Sequence, residues 1–239
     1  MNNLDDKVML ELQDVSHNYH AKKASFDHGI HHVLDSVSLK LYRGETLGVV
    51  GKNGCGKTTI LRLMAGILDP TEGTIRRRSN ASAALLSIGL GFKPNLSGRS
   101  NATLSAMLQG ATQKQAESLL EEIKAFSDLG DSFEEPVKTY SSGMRSRLGF
   151  TTALMTDVAI LLIDEVLAVG DAQFRGKAEA ALRDRIAGDQ TVVFVSHSAP
   201  QVASVCDRAI WLNDGKIADE GSAKSVLSSY RTYVKSNAG

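Results

Sequence analysis

The chain has little cysteine, no surplus of charge and no long apolar run, and each shortage removes a class of protein. Its two cysteines, Cys55 and Cys206, cannot build the disulfide framework of a small secreted domain. Lysine plus arginine and aspartate plus glutamate both number 27, so the formal net charge is zero. A general nucleic-acid binder carries a basic surplus, so no nucleic acid is expected as a partner. No uncharged apolar stretch approaches the ~18 residues that a membrane-spanning helix needs. Met1 to Asp14 contains no long apolar run, so no signal peptide is expected. The expectation is a soluble, cytoplasmic chain. What remains is an ordinary globular composition, 42% hydrophobic and 23% charged over 239 residues, enough for one large domain or two small ones.

Against that background one stretch carries specific chemistry. Gly51-Lys52-Asn53-Gly54-Cys55-Gly56-Lys57-Thr58 reads G-x-x-x-x-G-K-[ST], the phosphate-binding loop. The apolar run Glu45 to Val50 before it predicts a strand. Thr59 to Leu68 after it, with apolar residues at three- and four-residue spacing, predicts a helix. Strand, loop, helix is the context the motif requires. The glycines let successive backbone N–H groups curl toward an anion, and the helix adds its positive end. Lys57 can reach outer phosphates and the Thr58 hydroxyl can ligate Mg²⁺. Cys55, inside the loop, is expected to serve as a chemical probe whose alkylation blocks nucleotide binding.

Taken in order, residues 8–19 alternate in part and predict a strand that ends at Tyr19. The Tyr19 ring suits either stacking on an adenine or ordinary packing. The polar stretch His20 to His32 holds His28, His31 and His32 without a cysteine or acidic cluster, so a solvated loop is favoured over a metal site. Val33 to Leu41 predicts a second strand, Thr74 to Arg78 a short basic one, and Ala83 to Leu86 is apolar. Residues 100–129 read as helical, with Gln115 to Phe126 as one amphipathic helix.

Ala159 to Ile163 is a continuous apolar run, as a buried parallel strand requires, and it ends in Asp164-Glu165. Ligands bind at the carboxyl ends of such strands. Asp164 is expected to hold Mg²⁺ through a water, and Glu165 to orient or deprotonate an attacking water. A second buried strand, Thr191 to Val195, ends at Ser196-His197, where the histidine can donate to a γ-phosphate. Asn213-Asp214-Gly215 predicts a hairpin, and Ser222 a cap for a last helix, Ala223 to Tyr233. Tyr140-Ser141-Ser142-Gly143-Met144 precedes another helical run and offers a second anion-binding helix start. One chain cannot easily aim both at one phosphate, whereas two facing copies can.

With these motifs in place the sequence resembles, over nearly its whole length, the ATP-binding subunits of ABC transporters. That resemblance implies an α/β fold, a P-loop NTPase core with an antiparallel β subdomain and an inserted helical subdomain. It implies one nucleotide-binding domain over 1–239, with a core at 8–86 and 151–239 and a helical subdomain at about 98–150. It implies ATP and Mg²⁺ as cofactors and a homodimer of ATPase subunits. Nucleotide contacts would come from Tyr19, from Gly51, Lys52, Asn53, Gly54, Cys55, Gly56, Lys57, Thr58 and Thr59, and from Ser141, Ser142 and Gly143 of the signature motif. Asp171, six residues after Glu165, falls at the D-loop position. Glu165, His197 and Lys57 would be catalytic, and Thr58 and Asp164 the magnesium residues.

Tyr140 to Met144, Asp164 to Asp171 and Gly91 to Arg99 look like the branch that exports polysaccharides: O-antigen, capsule or teichoic acid. This implies an integral membrane channel subunit, a lipid-linked glycan handled by it, and a peripheral position on the cytoplasmic face of the bacterial inner membrane. The 89–99 loop and the helices after it would pass movement to that channel. The alternative is a soluble ABC ATPase such as an iron–sulfur assembly factor. A catalytically silent regulatory subunit conflicts with intact Lys57, Asp164, Glu165 and His197.

Two features depart from the family. No glutamine occurs between Ser79 and Leu108, where the family places a Mg²⁺-contacting one, so Ser87 or a water is expected to substitute. The chain ends at Gly239, so the carbohydrate-binding domain that some O-antigen exporters carry is expected to be missing.

Overall fold

A computed structural model describes residues 5–20, 29–79, 81–86, 91–164, 170–196 and 198–236. In chain order the elements are β1 (Val8–His20), β2 (Ile30–Tyr42), β3 (Thr46–Val50), α1 (Lys57–Met64), β4 (Glu72–Arg77) and β5 (Ala83–Leu86). The middle of the chain forms α2 (Gly98–Leu108), α3 (Gln113–Ser118), α4 (Leu120–Ser127), α5 (Ser142–Met155), β6 (Ile160–Asp164) and α6 (Ala172–Ile186). The last part forms β7 (Thr191–Val195), α7 (Ala199–Val205), β8 (Arg208–Asn213), β9 (Lys216–Ser222) and α8 (Ala223–Ser236). The chain divides into two compact units, one of 1–81, 162–165 and 186–239, the other of 82–161 and 166–185.

The first unit holds two sheets. An antiparallel sheet has the order β2-β1-β4. A largely parallel sheet runs β6-β7-β3-β8-β9, with β3 parallel to both β7 and β8. The residues of β3 and β7 are all buried, which explains why each is apolar after its opening threonine: a parallel strand covered on both faces leaves little room for polar residues. Arg208 at the start of β8 ties β3 in place. Its guanidinium donates to both carboxylate oxygens of Glu45, at 3.0 and 2.8 Å, in a mostly buried two-point pair. The β8–β9 turn takes Asp214 and Gly215 to φ 46° and 77°, the left-handed pair that a two-residue hairpin requires. Ser222 caps α8 as expected, accepting from Ser225 N–H at 3.3 Å.

Several boundaries differ from the sequence expectation. His20 ends β1 and Ile30 to His32 begin β2, so the ends of the stretch expected as a solvated loop are strand, held by the β1–β2 ladder, and α8 runs on to Ser236. The first helix does not run to Leu68. Gly66 adopts φ 72°, its N–H bonds the Leu63 carbonyl, and Ile67 N–H reaches back to Arg62. This Schellman ending closes α1 at Met64. Residues 115–126 are not one helix but parts of α3 and α4. Leu119 N–H bonds the Ala116 carbonyl, a tight turn that interrupts the regular ladder. Ala116, Leu120 and Ile123 are still buried at four- and three-residue spacing, so periodicity alone does not reveal the break.

The second unit is mainly helical, with β5 beside the amino-terminal end of β6. Its core gathers Ala102, Leu120, Ile123, Leu129, Phe133, Val137, Tyr140 and Leu148. Phe133 is fully buried at its centre. Phe133→Ala should destabilise this unit by about 3–5 kcal/mol, read as an earlier urea midpoint. An unchanged midpoint would show that the cluster collapses around the vacancy.

Candidate functional site

The phosphate loop leaves the carboxyl end of β3 and delivers the chain into α1 through Gly56. Gly56 has φ 105°, and a side chain there would meet Leu34 Cδ2 at 2.7 Å and the Val33 carbonyl at 3.0 Å. Only glycine fits both the backbone angle and the space. The same choice leaves α1 without a capping side chain, and its first turn carries no acidic residue. The amino-terminal N–H groups of a helix have no partner of their own. Here no carboxylate or hydroxyl cap competes for them, so the helix start is available to an external anion.

Lys57 is 8% exposed. Its ammonium folds back and donates to the carbonyls of Gly51 and Lys52, both at 2.8 Å. A buried ammonium without such acceptors would cost several kcal/mol (~3–5), so the loop carbonyls hold the cation ready at the mouth of the helix. Thr58 is exposed at the next position, and Thr59 is buried with its hydroxyl 3.4 Å from the Tyr19 hydroxyl.

A cleft of about 380 Å³ opens over this loop, in the size range of small-ligand sites. Tyr19, Asn53, Gly54, Gly56, Lys57, Thr58, Thr59 and Asp164 line it together. Asp164 is half-buried at the last position of β6. Eight residues named from sequence thus meet in one cavity. His31 and Val33 also line it, and sequence reasoning assigned neither. The signal was the pairing of β1 with β2, which sets Tyr19 opposite His31; the polar character of the surrounding stretch hid it. Residues 21–28 of that stretch, His28 included, lie outside the described residues.

Three of the named loop residues are not in the cleft lining. Gly51 is buried, and Lys52 places its ammonium 4.9 Å from the centre of the Tyr233 ring on α8. Cys55 corrects an expectation: it is no ready probe of the cleft. The residue is buried, its thiol packs 2.6 Å from where a side chain on Gly51 would begin, and burial raises its pKa. Burial likewise pushes the Cys206 thiol up to about 12.

In the second unit, α5 opens with Ser141, whose hydroxyl accepts from Met144 N–H at 3.1 Å. Ser141 and Ser142 are exposed, and Gly143 is partly so. Tyr140 is buried, and its hydroxyl donates to the Ser132 carbonyl at 2.5 Å. An aromatic residue at this place in the motif therefore serves the core described above. The Asp171 carboxylate accepts from Phe174 N–H at 2.9 Å at the start of α6. That hydrogen bond holds the carboxyl below its ordinary value. Glu165, His197 and Ser87 lie outside the described residues.

These parts make a P-loop NTPase core. The family pattern described as ABC transporter matches residues 34–168, more than half of the chain, and the chain belongs to the ABC transporter family. It is similar to the teichoic acids export ATP-binding protein of Listeria innocua, at 43% identity over 84% of this chain and 60% of that protein. It is also similar to the O-antigen export system ATP-binding proteins of Klebsiella pneumoniae (40%, over 83% of this chain and 80% of that protein) and Myxococcus xanthus (40%, over 89% and 48%). The chain spans between 55% and 60% of the length of the teichoic acids export proteins it matches. Among solved structures it resembles a dimeric ATP-binding cassette bound to ADP and phosphate, at TM-score 0.72 and 22% identity over 90% of this chain and 99% of that one. It also resembles an ATP-binding subunit of an ABC transporter, at TM-score 0.73 and 19% identity over 93% of each chain. No helix among the described residues is long and apolar enough to cross a membrane.

The buried thiols generate a prediction. At pH 8 Cys55 and Cys206 should react with Ellman's reagent at least ~tenfold more slowly in the folded protein than in the urea-unfolded chain, because only the thiolate attacks. Equal rates would place the Cys55 sulfur at the surface.

Proposed function

We propose that this chain is the ATP-hydrolysing subunit of an ABC transporter that exports a lipid-linked polysaccharide, O-antigen or teichoic acid, across the cytoplasmic membrane. One observation carries the ATP chemistry: an uncapped helix start, the Lys57 ammonium and the Asp164 carboxylate share one cleft. The cargo is supported by the relatives' names, which favour polysaccharide export over iron–sulfur assembly.

The triphosphate enters with its outer phosphates over the start of α1. Lys57 exchanges the Gly51 and Lys52 carbonyls for phosphate oxygens, so the cation keeps its partners throughout. The donor set fits magnesium: the Thr58 hydroxyl and Asp164 carboxylate are hard oxygen ligands on the same cleft. When bound, that ion neutralises charge on the outer phosphates. Glu165, the next residue after Asp164, orients or deprotonates the attacking water. His197 donates to the γ-phosphate.

In the active assembly two copies face each other. The exposed Ser141 and Ser142, with Gly143, reach the γ-phosphate held by the partner's loop, and Asp171 lies at the contact between copies. Closure excludes water, as in other lid-closing enzymes. Loss of the γ-phosphate removes the contacts that favour the closed form. The dimer sits on the cytoplasmic face of the membrane against an integral channel subunit, which handles the glycan.

Glu165→Gln should retain ATP binding, lower hydrolysis by a factor on the order of 100 or more, and accumulate an ATP-dependent dimer on size-exclusion chromatography. Hydrolysis at the wild-type rate would remove Glu165 as the base. In the host, Lys57→Ala should abolish one surface glycan while its lipid-linked polymer accumulates on the cytoplasmic side. Unchanged surface and internal glycans, in a strain without a redundant exporter, would overturn the cargo and leave a soluble ABC ATPase.

A further inference from the structure

The cleft has two chemically different ends. Lys57, Thr58 and Asp164 make the phosphate end. Val33 belongs to it as well, because its carbonyl lies 3.0 Å from where a side chain on Gly56 would begin. The β1–β2 ladder shifts register at Val33, with His17 opposite Leu34 and Asn18 opposite His32, and His31, two residues along the chain from Val33, lines the same cleft. Directly across the β1–β2 ladder from His31 is Tyr19. Opposed residues of an antiparallel pair project on one side of the sheet, and both of these line the cleft. The far end of the cleft is thus bordered by two neighbouring rings.

The Tyr19 ring is held from behind. The His17 ring meets it edge-on, with centres 4.8 Å apart at 84°. His17 is buried, with Nδ1 3.1 Å from the Asp69 carbonyl oxygen. The Tyr19 hydroxyl lies 3.4 Å from Thr59 Oγ1. Its edge and its tip are engaged, which leaves the cleft side, shared with His31, to meet a ligand.

We propose that His31 is a nucleoside-recognition residue, forming with Tyr19 a two-ring wall against which the planar base lies while the phosphates occupy α1. This rests on the nucleotide reading given above and extends it to a residue outside the phosphate-loop motif. The wall acts on the base and not on the phosphates, so it contributes to ATP affinity and contributes nothing to the affinity of a bare phosphate chain.

The test is calorimetry on the purified chain with magnesium, comparing ATP with inorganic tripolyphosphate. His31→Ala should weaken ATP about tenfold, the scale of one base–ring contact, and leave tripolyphosphate unchanged. The unchanged tripolyphosphate value also reports that the phosphate loop is still folded. His31→Phe, which keeps a flat ring, should hold ATP within about twofold of wild type on the same scale. ATP binding unaffected by His31→Ala, or ATP and tripolyphosphate weakened together, would overturn the proposal, as would a Phe variant as weak as the Ala variant. If Tyr19→Ala removes the preference for ATP and His31→Ala keeps it, the wall fails and the nucleotide reading stands. If the wild type binds ATP no more tightly than tripolyphosphate, both fall.

Discussion

The buried ammonium of Lys57 is the constraint around which the rest of the site is arranged. A charge with so little exposure must have acceptors, and the carbonyls of Gly51 and Lys52 supply them. Those two bonds close the loop on itself and fix the direction in which the chain enters α1. They also make the site exchangeable. An anion over the helix start can take over the ammonium without a new buried charge being created, because one set of oxygen acceptors replaces another.

That arrangement depends on glycine where the loop meets the rest of its unit. Gly56 lets α1 begin against Leu34 and the Val33 carbonyl, so the β2 strand reaches the loop without a side chain between them. The absence of a cap on α1 completes the design. A helix capped by its own serine or aspartate has satisfied its first N–H groups internally. The start of α5 shows the contrast: Ser141 accepts from Met144 N–H, yet its serines remain exposed at the end of a 14-residue helix. Asp171 is similarly occupied by a local hydrogen bond at the start of α6.

Much of this was legible beforehand. The strand–loop–helix of residues 45–64, the buried strands ending at Asp164 and Val195, the Asp214-Gly215 hairpin and the Ser222 cap follow from local patterns, because each is decided within a few residues. The breaks at Gly66 and Leu119 do not show in the apolar spacing, which runs on past both: at Leu119 the tight turn leaves the buried face in place, whereas past Gly66 the apolar Ile67 is exposed. Cys55 was misjudged for a related reason. A loop position suggests exposure, but whether a side chain turns outward or under the loop depends on what packs below it.

The sequence by itself determined the strand, loop and helix start of the phosphate-loop motif, because that geometry is made by consecutive residues whose backbone angles and helix end need no distant partner. It equally determined the alternation of buried strands and helices, since burial on both faces writes itself as continuous apolar runs. Only the tertiary structure decided what surrounds that loop. It brought Tyr19 and Asp164 to the same cleft from strands far apart in the chain, set His31 opposite Tyr19 through the strand register, and turned Lys52 and Cys55 away from it. Register and packing join residues that are remote in sequence, and no local pattern records which strand will lie beside which.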